Sequence, residues 1–224
     1  MKVGASFLKT PQGAAFLSAL CPGLGLFIRG YSAQAWSTLL LGLPLVSLAV
    51  ILGQSHGIET GIFFGILVVL PWWVFQVFHS SLAHPNGLRA TWHLVWERGL
   101  DIRYLGGLFI LSALMDLSII VANPSYNLHV FCARPTGVLG LFVKAQSPTF
   151  HMLIGYGFLR QARWGLLIYL LYASYGFLNA MTNFACEGYG RIRTIFLLTL
   201  ATFTIYIWSR RRSFRSASPE PRSF

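Results

Sequence analysis

Acidic side chains are scarce in this sequence. Only Glu59, Glu97, Asp101, Asp116, Glu187 and Glu220 are found among 224 residues. That leaves few candidates for general acid–base catalysis. No Ser-His-Asp set, Walker loop, paired catalytic carboxylates or His-Glu-x-x-His motif occurs. Cysteine is rarer still, at Cys21, Cys132 and Cys186, and no C-x-x-C exists to act as a redox dithiol. The six histidines match no metal-ligand spacing. Only His79 and His151 could serve a haem, and their depths differ. His79 sits at one end of its apolar run, and His151 lies about 13 Å inside another. No catalytic residue, metal or cofactor is therefore expected.

Charge of either sign is thin. Charged residues make up 10% of the chain against 55% hydrophobic, with a mean hydropathy of +0.61. A soluble domain carries about 25% charged residues. Roughly a third of the unfolded surface stays exposed at this length, so water is the wrong solvent and lipid the right one. The net charge of +11 does not imply nucleic acid. Its basic residues lie in short clusters between apolar runs, where the positive-inside rule puts them, and no soluble face carries a basic stripe.

Crossing a bilayer takes roughly 20 apolar residues. Candidate spans are Gln34–Leu52, Gly61–His79, Tyr104–Ala122, Trp164–Asn183 and Ile192–Trp208. A weaker one, Thr136–Arg160, is interrupted by Lys144 and by Pro148, where a kink is expected. A first run, Gly13–Ile28, is broken by Pro22-Gly23-Leu24-Gly25 and either spans with a kink or returns as a re-entrant hairpin. Leu20 is too bulky before Cys21 for a lipoprotein site, and the run reads as retained rather than cleaved. With six spans, thirteen Lys and Arg fall on one side against Arg134, Arg191 and Arg193. With seven, the split is eleven against five. The reading is an all-α polytopic transmembrane helix bundle of about six spans, seven if the first segment crosses. Both versions put the C-terminus in the cytoplasm, and a bacterial inner membrane is the expected location.

The expected organisation is a membrane module over 1–85, a cytoplasmic interfacial helix over 86–103, a four-helix module over 104–208 and a disordered basic tail over 209–224. In the interfacial segment Leu88, Trp92, Val95 and Trp96 fall on one helical face, with Arg89, His93, Glu97 and Arg98 elsewhere. It lies on the lipid surface or packs as a connecting helix. Arg210, Arg211 and Arg212 in the tail are expected to meet anionic lipid. Membrane lipids and either a protein partner or further copies of the chain are the expected partners, and nucleic acid is not.

Several polar or small groups fall inside these runs. Asp116 lies about 9 Å from the outer end of its helix and Lys144 about 12 Å from that of the next, which would allow an ion pair. That pair is read either as structural or as part of an ion or proton relay. Tyr172, Gly176, Asn179 and Asn183 form one helical face. It either packs helices together or lines a cavity. Gly57, Gly61 and Gly65 make a small-residue ridge for helix packing. Cys132 and Cys186 both fall in non-cytoplasmic loops and are read as a disulfide or as two free thiols, whereas Cys21 reads as a buried thiol.

Residues Thr10–Pro85, through Pro22-Gly23-Leu24-Gly25, Phe27, Gly30, Ala35-Trp36 and Trp73-Val74-Phe75-Gln76, resemble membrane modules built around a Pro-Gly-x-Gly turn, relatives of the domain with a pair of transmembrane helices. Such modules often end in a Trp and an Asp, but His79 stands where the acid would be, so an acid-dependent role does not transfer. Residues Tyr104–Phe214, through Gly155-x-Gly157-x-Leu159-Arg160 and Ala162-Arg163-Trp164-Gly165, resemble a bacterial four-helix membrane module. Both resemblances imply a membrane module without a particular activity. Three roles follow as expectations: an accessory or structural membrane subunit first, a small transporter or channel using Asp116 and Lys144 second, and a membrane-embedded lipid-handling enzyme third.

Overall fold

The computed structural model describes residues 8–125 and 127–214. The described residues are all-α, without a strand; one isolated bridge joins Val130 and Ala133. Four helical stretches, Ser32–His56, Thr60–Ser81, Leu100–Ala122 and Arg163–Glu187, are long and apolar enough to cross a membrane. The chain divides into two compact units, Met1–Leu94 and Val95–Phe224.

The first unit opens with α1 (Pro11–Leu20) and α2 (Leu24–Ile28). Thr10 caps α1 by accepting from the Gly13 N–H at 3.1 Å, and Pro11 supplies a preset φ at the first helical position. Neither helix reaches a bilayer's thickness, since 10 residues rise only about 15 Å. They fold back on one another, and Gly25 explains how. A Cβ there would sit 1.9 Å from the Ala14 carbonyl oxygen, so only glycine permits the approach.

Next come α3 (Ser32–His56) and α4 (Ile58–Phe64), reversed at Gly57, whose φ of 99° suits glycine. Gly61 then lies against Gly53 and Ala49 of α3. A π-helical turn, Gly65–Val69, leads into α5 (Leu70–Ser81). Pro71 accounts for that turn. It cannot donate to Leu67, and the wider turn lets the Leu70 N–H reach Gly65 instead. The division between units falls inside α6 (Leu88–Arg98), which is shorter than the segment expected on the lipid surface.

In the second unit α7 (Leu100–Ala122) and α8 (Gly137–Leu159) pack closely, Gly106 against the Gly155 carbonyl. They are followed by α9 (Arg163–Glu187), α10 (Arg191–Ser209) and a 3-10 turn, Arg211–Ser213. Pro148 lies within a continuous α8. The core gathers Ile102, Ile154, Phe158, Tyr169 and Ile207, with Phe158 meeting Phe109, Tyr169 and Phe214 edge-on or tilted. Phe214 is only 2% exposed, so the expected tail is packed at its start; its remainder, 215–224, lies outside the described residues.

Candidate functional site

Buried polar side chains collect at four places, each within one unit. In the first unit Gln76 of α5 is fully buried and holds the α1–α2 hairpin. Its Oε1 accepts from the Gly23 N–H at 3.3 Å, and its Nε2 donates to the Ser18 carbonyl at 2.6 Å. Trp73 donates to the Ala19 carbonyl, and the Ser18 hydroxyl accepts from the Gly25 N–H. Arg29 donates to the carbonyls of Ser80, Leu82 and Ala83, satisfying the acceptors that the end of α5 leaves open. His79 is likewise buried, between the Thr91 hydroxyl at 2.7 Å and the Gln34 amide oxygen at 2.9 Å.

An open apolar groove of ≈ 560 Å³ runs beside α3, α4 and the π turn, past Val46, Val50, Gly53, Gly61, Gly65 and Leu70. Of the glycines expected to form one ridge, Gly57 makes the turn, Gly61 packs inside the unit and Gly65 alone faces open space. The lining would take a lipid acyl chain as readily as the side chains of a neighbouring helix.

The loop end of the second unit is closed by side chains from α9. The Asn179 and Asn183 Oδ1 atoms accept from the Phe131 and Cys132 N–H groups, both at 2.8 Å. Phe131 and Cys132 have φ of 47° and 67°, so these two bonds hold backbone that L residues rarely adopt. Cys132 and Cys186 are joined as a disulfide, with Cα atoms 6.0 Å apart. Glu187 meets both His129 and Arg193, and Arg193 also donates to the Asn183 carbonyl. Asn179 and Asn183 thus act as a loop clamp. Tyr172, two turns earlier on the same helix, takes no part in the clamp and meets Ser147 instead. The free Cys21 is exposed, not buried as expected.

At the opposite end of α7, Arg210 and Asp101 form a two-pronged pair at 2.7 and 2.8 Å, with side chains 5% and 9% exposed. Arg210 also donates to the Trp96 carbonyl and stacks 3.6 Å from its ring, and Tyr206 donates to Asp101. The expectation that Arg210 meets lipid is therefore wrong, because the buried carboxylate of Asp101, 109 residues earlier in the chain, claims it. Arg211 and Arg212 are exposed, as are Arg89 and Trp92, while Trp96 is partly covered by Arg210.

The fourth cluster corrects the Asp116–Lys144 pair. Asp116 Oδ2 accepts from the Ser147 hydroxyl at 2.7 Å and lies 2.8 Å from His151 Nδ1. Ser147 Oγ is 3.1 Å from the Tyr172 hydroxyl, and Ser112 Oγ is 3.2 Å from His151 Nδ1. Lys144 is 6% exposed and donates to the Pro124 carbonyl at 2.7 Å. Helical side chains lean toward their own helix N-terminus. In the antiparallel α7 and α8 that sends Asp116 and Lys144 in opposite directions, so similar depth does not bring them together. Lys144, Ser147 and His151 do share a face at i, i+3, i+7, and Ser112 and Asp116 share one at i, i+4. Pairing those two stripes was the signal available in the sequence for His151.

Comparison with protein-family models, with curated proteins and with solved structures gives no match to this chain.

Proposed function

We propose that the chain is an integral membrane protein of about six spans, N- and C-termini cytoplasmic, serving as an accessory or structural subunit that packs against partner helices in a larger assembly. In this reading α1 and α2 dip into the membrane and return, and α8 and α10 join the four long apolar stretches as spans. Positive charge supports the orientation, and the disulfide suits the opposite, oxidising face.

One observation carries the subunit reading: among the described residues, most buried or half-buried polar side chains bond within the molecule itself, the Trp72 indole N–H being an exception. Gln76, Arg29, Asn183, Lys144 and Arg210 all bond to backbone carbonyls of their own unit. Such groups fix helices and loops, and they leave a largely apolar exterior for lipid or other helices. Transport through an Asp116–Lys144 pair loses its support, because the two side chains diverge. Nothing in the arrangement around Arg89 and His93 favours a lipid-handling enzyme.

The test is native mass spectrometry on the tagged full chain released from its own membrane in mild detergent. The subunit reading expects a second polypeptide or further copies in the released particle. A particle of one copy with no companion would overturn it.

A further inference from the structure

The Asp116 cluster differs from the other three in having bonding capacity left over. Oδ1 of Asp116 and Nε2 of His151 receive no bond from any described residue, and neither atom is sealed from the surface. The side chains are 26% and 16% exposed. Oδ2 and Nδ1, at 2.8 Å, are both acceptors unless one carries hydrogen, so a proton must occupy the line between them. Either the imidazole donates to a carboxylate or the carboxylic acid donates to the imidazole. Ser147 uses its one hydrogen on Asp116, so Tyr172 must be the donor in its own bond to Ser147. The result is a directed chain, Tyr172 to Ser147 to Asp116, met from the other side by His151.

We propose that Asp116 and His151 form a proton-exchanging site near the disulfide-bearing end of the second unit, loading and unloading protons at the free Oδ1 and Nε2. The ligand class is a proton and not a metal ion. One carboxylate and one imidazole are too few, and no group of three or more His, Cys, Asp or Glu that could hold a metal occurs among the described residues. The electrostatic surroundings are simple. On α7 the pair meets Ser112. On α8 it meets Ser147, while the cation of Lys144 is turned away to Pro124. From α9 it meets Tyr172, with Tyr175 beside that ring. No fixed cation among these neutralises Asp116, so its charge depends on His151. A carboxylate at membrane depth is costly without such a partner, which makes gain of a proton the natural alternative to pairing. The site stands independently of whether the chain is an accessory subunit.

Asp101 and Asp116 are the only aspartates in the chain, so carbonyl-13C aspartate labels just two side-chain carboxyls. The experiment is pH-difference infrared spectroscopy on the full chain in lipid nanodiscs. The expected result is a labelled carboxylic acid band that grows as pH falls and vanishes in Asp116→Asn. In His151→Gln and in Ser147→Ala the band should stay, with its midpoint moved by about one pH unit or more, a tenfold change in proton affinity. These two variants keep Asp116 and carry the test even if Asp116→Asn does not fold. A wild-type protein with no labelled acid band from acid to neutral pH would overturn the proposal. So would a band whose midpoint neither variant moves.

Discussion

Arg210→Met removes one half of the buried pair at the base of the second unit. Asp101 would keep only the hydroxyl of Tyr206 as a donor while remaining 9% exposed. Breaking a buried pair from one side costs about 3–5 kcal/mol, because a desolvated charge is left without compensation. An exposed pair contributes about 0–1 kcal/mol. The 3.6 Å contact with the Trp96 ring adds roughly 1 kcal/mol on the same side of the comparison. Thermal unfolding of the full chain in detergent should show an apparent Tm lower by on the order of 10 °C. The double variant Asp101→Leu/Arg210→Met should recover more than half of that loss, since it removes the orphaned carboxylate as well. A fall of only about 2–4 °C in the single variant would refute the reasoning and return Arg210 to the role of a surface lipid contact.

Three further outcomes follow from other contacts. Gly25→Ala forces a methyl onto the Ala14 carbonyl, and the overpacking should cost about 1–3 kcal/mol, read as a lower Tm and exposure of α1 to limited proteolysis. Gln76→Leu leaves the Gly23 N–H and the Ser18 carbonyl without partners inside the unit, each worth about 1–3 kcal/mol, and hydrogen exchange at Gly23 and Gly25 should accelerate. Opening the Cys132–Cys186 bridge, which closes a loop of 54 residues, should lower stability by up to about 4 kcal/mol. In the proposed topology a membrane would hold the helices on both sides of the loop and reduce that figure, so a measurable but smaller Tm shift on reduction is expected.

The apolar runs made the helical membrane class legible, because runs of that length have few other uses. Helix ends were less so. Ser32–His56 and Leu100–Ala122 extend past the apolar windows Gln34–Leu52 and Tyr104–Ala122, since backbone hydrogen bonding continues where hydrocarbon-compatible side chains stop. Cys132 and Cys186 could be placed on one side by counting spans. By contrast, partners across the α7–α8 contact depend on the direction in which each side chain leans. Depth alone paired Asp116 with Lys144, where lean and shared faces pair it with His151. Arg210 looked like part of a basic tail because Asp101 lies more than a hundred residues away in sequence and nothing local announces the contact.

In the proposed topology the chain threads a membrane with its disulfide loop on one face and its basic end on the other. Thiol labelling in intact cells tests it most directly. Cys132 and Cys186, freed by a mild reductant, should react with a membrane-impermeant maleimide added outside, whereas a cysteine introduced at Arg212 should react only after the membrane is permeabilised. Labelling of both positions from the same side would contradict the account.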